Sequence, residues 1–188
     1  MSTEWEKFRQ KIVGLQGDLS PFKVEFLDRE GFKKIADNLW GTISQWSEVC
    51  ITGYFSEAVR DDLEKYAKIE GHKLRLICQE LDANNRRDKK NLEVLRKLCK
   101  PRTEIKVNNR LHARFLVAYH PHFKETRGLL IIGSFDFNTE CMGKERFDAG
   151  VMTGHPDLVR SALQLFEEIW NEPESTPLLE LYPDKRKS

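Results

Sequence analysis

The sequence has no long apolar run. Its uninterrupted apolar stretches, such as residues 115–119 and 129–132, are far too short to cross a bilayer. The opening Met1-Ser2-Thr3-Glu4-Trp5-Glu6 is charged and suits a helix start, which argues against a signal peptide. Together these leave a cytoplasmic protein as the expectation. Net charge is also nearly absent, with 31 basic residues against 30 acidic ones, so any case for nucleic acid must rest on local clusters. Cysteine is scarce and scattered: Cys50, Cys78, Cys99 and Cys141 form no C-x-x-C pair, which argues against zinc. Cys50, Cys78 and Cys99 fall in apolar patterns and read as buried thiols. Cys141 has no base placed near it by spacing, so it is a weak nucleophile candidate. No internal repeat is present.

What remains is an ordinary globular composition, 39% hydrophobic and 32% charged, in a chain long enough to bury one sizeable core. We read residues 1–20 as an N-terminal helix and linker, 21–172 as the main domain, and 173–188 as an irregular tail punctuated by Pro173, Pro177 and Pro183. Phe22 opens a short strand. Asp28 caps a long helix reaching Gln45, with Phe32, Ile35, Leu39 and Ile43 as its inner stripe. A strand over 48–55, a helix ending near Gly71 and a strand over 72–80 form a crossover unit, which implies parallel neighbours. A helix over 87–100, a strand over 103–107, two strands joined as a hairpin and a helix opened by Pro156 complete the chain. The expectation is an α/β fold: a mixed central sheet of about six or seven strands, flanked by helices on both faces.

The polar residues concentrate around the hairpin. Alternation over 111–119 sets Ala113, Phe115 and Val117 on one face and His112, Arg114 and Leu116 on the other. A titratable imidazole thus lies beside a fixed cation. The second strand ends in Gly133-Ser134, where the glycine lets backbone approach a ligand. Imidazole, guanidinium and hydroxyl are what an anionic phosphate site needs. Asn108, Asn109 and Arg110 lead directly into this stretch and are candidate ligand contacts. The basic run containing Arg86 and Arg87 is ordinarily a solvated helix start; its alternative role is a phosphate-contacting rim. His120 and His122 lie in the hairpin turn, but no further ligand is spaced to make them a metal pair.

These residues, in this order, resemble the phospholipase D superfamily, whose motif runs His-x-Lys, then Asp, then a Gly-Ser-x-Asn turn. His112 and Gly133-Ser134 match. Arg114 stands at the lysine, Tyr119 at the aspartate and Asp136 at the asparagine. Downstream, the 146–151 stretch containing Asp148 is similar to the family's acidic strand, and the helix ending in Phe166 and Trp170 to its Phe-x-x-x-Trp helix. The resemblance spans about residues 22–171 and implies a phospholipase D-like fold.

The resemblance also implies a chemistry: a metal-independent phosphodiesterase, most simply a nuclease, with no cofactor. His112 would attack phosphorus to form a phosphohistidine, a second histidine would protonate the leaving oxygen, and water would resolve the adduct. Asp148 would orient the imidazole; Arg114, Ser134 and Asn138 would hold the non-bridging oxygens. A single motif supplies one histidine, so a homodimer is implied, with DNA or RNA as partner. The alternative is a degenerate phospholipase D-like module that grips nucleic acid or another phosphate ligand without cutting it. Asp136 favours that reading, because a carboxylate repels phosphate.

Overall fold

The computed structural model describes residues 24–55, 57–82, 84–99, 102–121, 128–134 and 149–183. The expected N-terminal helix, Cys141, His122, Asp136, Asn138 and Asp148 lie outside these residues. An eight-stranded mixed sheet runs through the centre in the order β1-β7-β6-β5-β2-β3-β4-β8. Its strands are β1 (Val24–Leu27), β2 (Glu48–Thr52), β3 (Lys73–Cys78), β4 (Thr103–Val107), β5 (Phe115–Tyr119), β6 (Gly128–Gly133), β7 (Gly150–Thr153) and the two-residue β8 (Thr176–Pro177). The helices are α1 (Arg29–Asp37), α2 (Leu39–Ile43), α3 (Glu57–Tyr66), α4 (Arg86–Leu98), α5 (Pro156–Asn171) and α6 (Leu178–Leu181).

The β2-α3-β3-α4-β4 half is parallel, as the crossover pattern requires. The β5-β6-β7 half is antiparallel, and β5 joins the two by pairing antiparallel with β2. The period of two divides the core. Leu116 and Ala118 of β5 pack in a large cluster with residues of α1 to α4. Phe115 and Val117 pack on the opposite face with Val159, Ala162, Phe166 and Trp170 of α5. Helices therefore cover both faces, as expected. Burial of Phe166 alone is worth about 1.5–3 kcal/mol. Gly128 is required where α5 crosses β6, because a Cβ there would meet Val159 Cγ1 at 2.7 Å.

Three expectations change. The long first helix is broken at Asn38, whose φ of −136° is non-helical and whose side chain accepts from Gly41 N at 3.1 Å, capping α2. Residues 173–183 pack against the domain: β8 pairs with β4, Leu178 is fully buried, and Tyr182 Oη bridges Leu81 by accepting from its N and donating to its O. The prolines suggested irregularity, but a proline at the sheet's edge is compatible with pairing. Most important for the site, β5 begins at Phe115, so His112 and Arg114 precede the strand.

One polar feature was not foreseen. Arg75, 8% exposed, lies between the sheet and α5. Its Nη2 pairs with Glu167 at 2.6 Å and donates to Tyr119 Oη at 3.3 Å. Its guanidinium carbon sits 5.0 Å from the Phe166 ring centroid and 5.6 Å from that of Trp170. Tyr119 Oη in turn donates to Glu48 at 2.6 Å. Tyr119 therefore belongs to a pin between sheet and helix, and its hydroxyl is pushed above its ordinary pKa by burial and by Glu48.

Burial also pushes the Cys50 and Cys78 thiols up from 9.0 to about 12, with Arg75 opposing the rise at Cys50. Their folded pKa is the higher one, so the stability they confer is complete below about pH 9 and falls as pH rises toward 12. In native protein at pH 8, iodoacetamide is expected to leave both unmodified by peptide mass mapping and to label both in urea. Labelling of either in the folded protein would show that its burial is wrong.

Candidate active site

The topology gathers one set of chain ends. The C-terminal ends of β2, β3, β4 and β6 meet the N-terminal ends of β5 and β7 along one rim of the sheet. The segment 111–114 crosses this rim as irregular backbone, and side chains share with main-chain groups in satisfying it. Thr52, fully buried at the end of β2, donates its hydroxyl to Ala113 O at 3.0 Å and accepts from Phe115 N at 3.0 Å. Gln79 Nε2, just past β3, donates to Leu111 O at 2.6 Å. Arg114 O accepts from Gly133 N at 3.2 Å. The backbone on both sides of Arg114 is thus fixed without strand pairing. Gly53, at φ 145°, turns the chain away beyond Thr52, a conformation that favours glycine.

His112 is exposed on this fixed segment and makes no hydrogen bond among the described residues. Arg114 is half-buried. Ser134 is exposed at the end of β6; its N donates to Ala149 O at 3.1 Å, and its hydroxyl oxygen accepts from Ala149 N at 3.3 Å. Arg114 and Ser134 are therefore brought to adjacent strand ends by the β5-β6 register. Asp148 and Asn138 lie outside the described residues. The exposure of His112 and the fixed backbone around it suit contact with a ligand from solvent, with the Arg114 cation two residues along the same segment.

The flanking candidates divide. Asn108 is 1% exposed and structural: its amide donates to Glu172 at 3.0 Å and Ser175 at 2.9 Å, while its oxygen accepts from Arg110 N at 2.9 Å. Arg110 is largely exposed but paired, its Nε 2.7 Å from Glu174 and its Nη2 3.6 Å from Glu172. Asn109 is exposed on the same turn. Arg86 is exposed at the first position of α4. Tyr54, which follows β2, ties the start of that helix to the rim by donating to Asp88 at 2.8 Å. Arg87 belongs to the same helix turn. Among the described residues no three His, Cys, Asp or Glu side chains cluster as a metal site requires, and no helix is long and apolar enough to cross a membrane.

Thr52, Gln79 and Glu172 were not anticipated. A threonine just before a strand-ending glycine carries no signal of what its hydroxyl will hold. Only the register of β2 against β5 shows it.

Comparison with known proteins places these observations in a family. Residues 44–170 match the family model described as "Cardiolipin synthase, PLD-like domain". Among solved structures, Nuc from Salmonella typhimurium, a phospholipase D family member, is 12% identical with a TM-score of 0.60, covering 83% of this chain and 96% of that one. NucT from Helicobacter pylori is 13% identical with a TM-score of 0.62, covering 83% and 99%. TrmBL2, an archaeal chromatin protein described with a novel mode of DNA binding, is 12% identical with a TM-score of 0.55, covering 89% and 60%. At these identities the likeness is one of fold. A search of the curated proteins found no matching sequence.

Replacing Thr52 by valine keeps the shape and removes the hydroxyl that serves two buried backbone groups. Such a loss costs about 1–3 kcal/mol for each group left unsatisfied. Urea unfolding is expected to show a destabilisation of at least that size, with most of it recovered in Thr52→Ser. Equal stability of Thr52→Val and wild type would mean the hydroxyl does not hold the segment.

Proposed function

The chain belongs to the PLD-like domain family, the phospholipase D superfamily, and from that premise we propose that it is a phosphodiesterase with His112 as its nucleophile. The observation that carries this reading is the state of His112: a solvent-facing imidazole without a hydrogen bond among the described residues, on backbone clamped by Thr52 and Gln79. A structural histidine is ordinarily held by its ring nitrogens. Here the main chain is held and the ring is left available.

In this reaction a ring nitrogen of His112 forms a bond to phosphorus as the P–O bond to the leaving alcohol breaks. The leaving oxygen takes a proton from a second imidazole. Water then attacks phosphorus, releases His112 and returns a proton to that imidazole, so atoms and charge balance over the cycle. Arg114 is the cation for the non-bridging oxygens, and its planar fork suits two of them at once. Ser134 and Asn138 are proposed as further oxygen ligands, and Asp148 as the acceptor that sets the imidazole tautomer. The second imidazole is proposed to be His112 of a second copy, which makes the active form a two-fold dimer.

Nucleic acid is the substrate class we favour. Support comes from the DNA binding described for TrmBL2, which shares the fold, and from Arg86, exposed at the start of α4, with Arg87 next to it in sequence. Arg110 and Asn109 border the same rim, although Arg110 must share its charge with Glu172 and Glu174.

The purified protein is expected to cut single-stranded DNA or RNA in the presence of chelator, with activity lost in His112→Ala. Arg114→Ala should fall at least tenfold, the equivalent of a charge-assisted contact of about 1.5–3 kcal/mol, and Arg114→Lys should keep part of the rate. Binding without cutting by wild type would favour the degenerate module, and His112→Ala cutting at the wild-type rate would exclude the mechanism.

A further inference from the structure

Against His112 lies an open cavity of about 350 Å³ that the chemistry above does not use. It is lined by His112 itself, by apolar Leu111, Ala113 and Ile169, and by polar Asn108, Arg110 and Glu172. That volume falls at the small end of the range for ligand pockets, about 300–1,000 Å³. Because His112 forms part of its lining, the cavity lies where a group attached to the reacting phosphorus would sit.

The lining selects the chemistry of that group. A phosphate is disfavoured, since the Glu172 carboxylate would face it. A sugar alone leaves the aliphatic surfaces of Leu111, Ala113 and Ile169 without a matching flat apolar partner. A nucleobase supplies both an apolar face and a polar edge.

The polar groups discriminate further. Glu172 Oε2 accepts from the buried Asn108 amide, which holds the carboxylate in place, while Oε1 has only the loose 3.6 Å approach of Arg110. Arg110 makes its close contact through Nε to Glu174, so its Nη2 end is the part near Glu172. An acceptor and a donor group therefore stand side by side. Guanine matches this pair best: O6 and N7 accept a guanidinium fork, and N1–H with the N2 amino group donate to a carboxylate. Adenine and cytosine offer a carboxylate only one amino group.

We propose that this cavity is a base-recognition subsite that seats guanine next to the scissile phosphate, with Glu172 and Arg110 determining specificity. The proposal rests on the phosphodiesterase reading and names the substrate group which that reading leaves open.

The test is binding without turnover. Full-length protein is titrated with the 3′- and 5′-monophosphates of guanosine, adenosine, cytidine and uridine, following backbone amide NMR signals of His112, Ile169 and Glu172. A guanosine monophosphate is expected to shift these signals and to bind at least tenfold more tightly than the other three. Glu172→Gln keeps an acceptor for Asn108 but removes the charge, and should lower guanosine monophosphate affinity to the level of adenosine monophosphate. Ile169→Trp, which fills the cavity and leaves Glu172 intact, should abolish the shifts. Equal binding of all four nucleotides, no binding, or full guanosine monophosphate affinity in Glu172→Gln would each overturn the subsite. The wild-type comparison stands even if a variant fails to fold. Equal binding with His112-dependent cutting removes the subsite alone. Guanine-selective binding without cutting supports the subsite and removes the hydrolytic reading.

Discussion

The site depends on one buried hydroxyl. Thr52 both donates to Ala113 O and accepts from Phe115 N, so it occupies the two main-chain groups that flank Arg114. Backbone that leaves a sheet at a buried edge normally loses its partners, and each unmet group costs about 1–3 kcal/mol. Here the hydroxyl and Gln79 supply those partners, so the chain can quit the ladder before Phe115 without that penalty. The consequence is functional. His112 stands on irregular backbone, free of the pleat's alternation, yet held on a rigid scaffold as the proposed nucleophile must be.

The sheet explains why so many chain ends meet there. Parallel β2, β3 and β4 end on the same rim at which antiparallel β5 and β7 begin and β6 ends. Irregular segments at strand ends can then vary in chemistry while the ladders stay fixed. Behind the rim, Arg75 pins α5 to the sheet through Glu167 and the rings of Phe166 and Trp170. Tyr119, which occupies the family's aspartate position, contributes to this pin through Arg75 and Glu48. Its departure from the motif therefore has a structural account in a sheet-helix contact.

Much of this was legible in the sequence because it followed from period and punctuation. The strand over 103–107, the paired strands of the hairpin and the Pro156 start of α5 all carry strong local signals. The start of β5 did not, since apolar alternation runs through 111–119 and reads as a single strand. What ends the ladder is a long-range partner, Thr52, which no local pattern reveals. Asn38 shows the same limit at shorter range: the apolar stripe continues across it while its side chain caps a new helix. Arg75 is missed for another reason. A charge among apolar residues suggests exposure, and only the arrival of α5 provides the carboxylate and rings that make its burial tolerable. Of the site itself, His112, Arg114 and Ser134 are read from the motif, but the cavity beside His112 needs Ile169 and Glu172, distant in sequence.

The central claim, that His112 is the nucleophile, is tested most directly by trapping its covalent adduct. Protein mixed with a single-stranded oligonucleotide would be quenched in alkali within the first turnovers, where phosphohistidine survives, then digested and mapped by mass spectrometry. The account predicts a nucleotide-bearing phosphoryl group on the peptide containing His112, localised to that residue and absent from His112→Ala. Cutting that proceeds with the adduct on another residue, or with none formed while water attacks phosphorus directly, would contradict it.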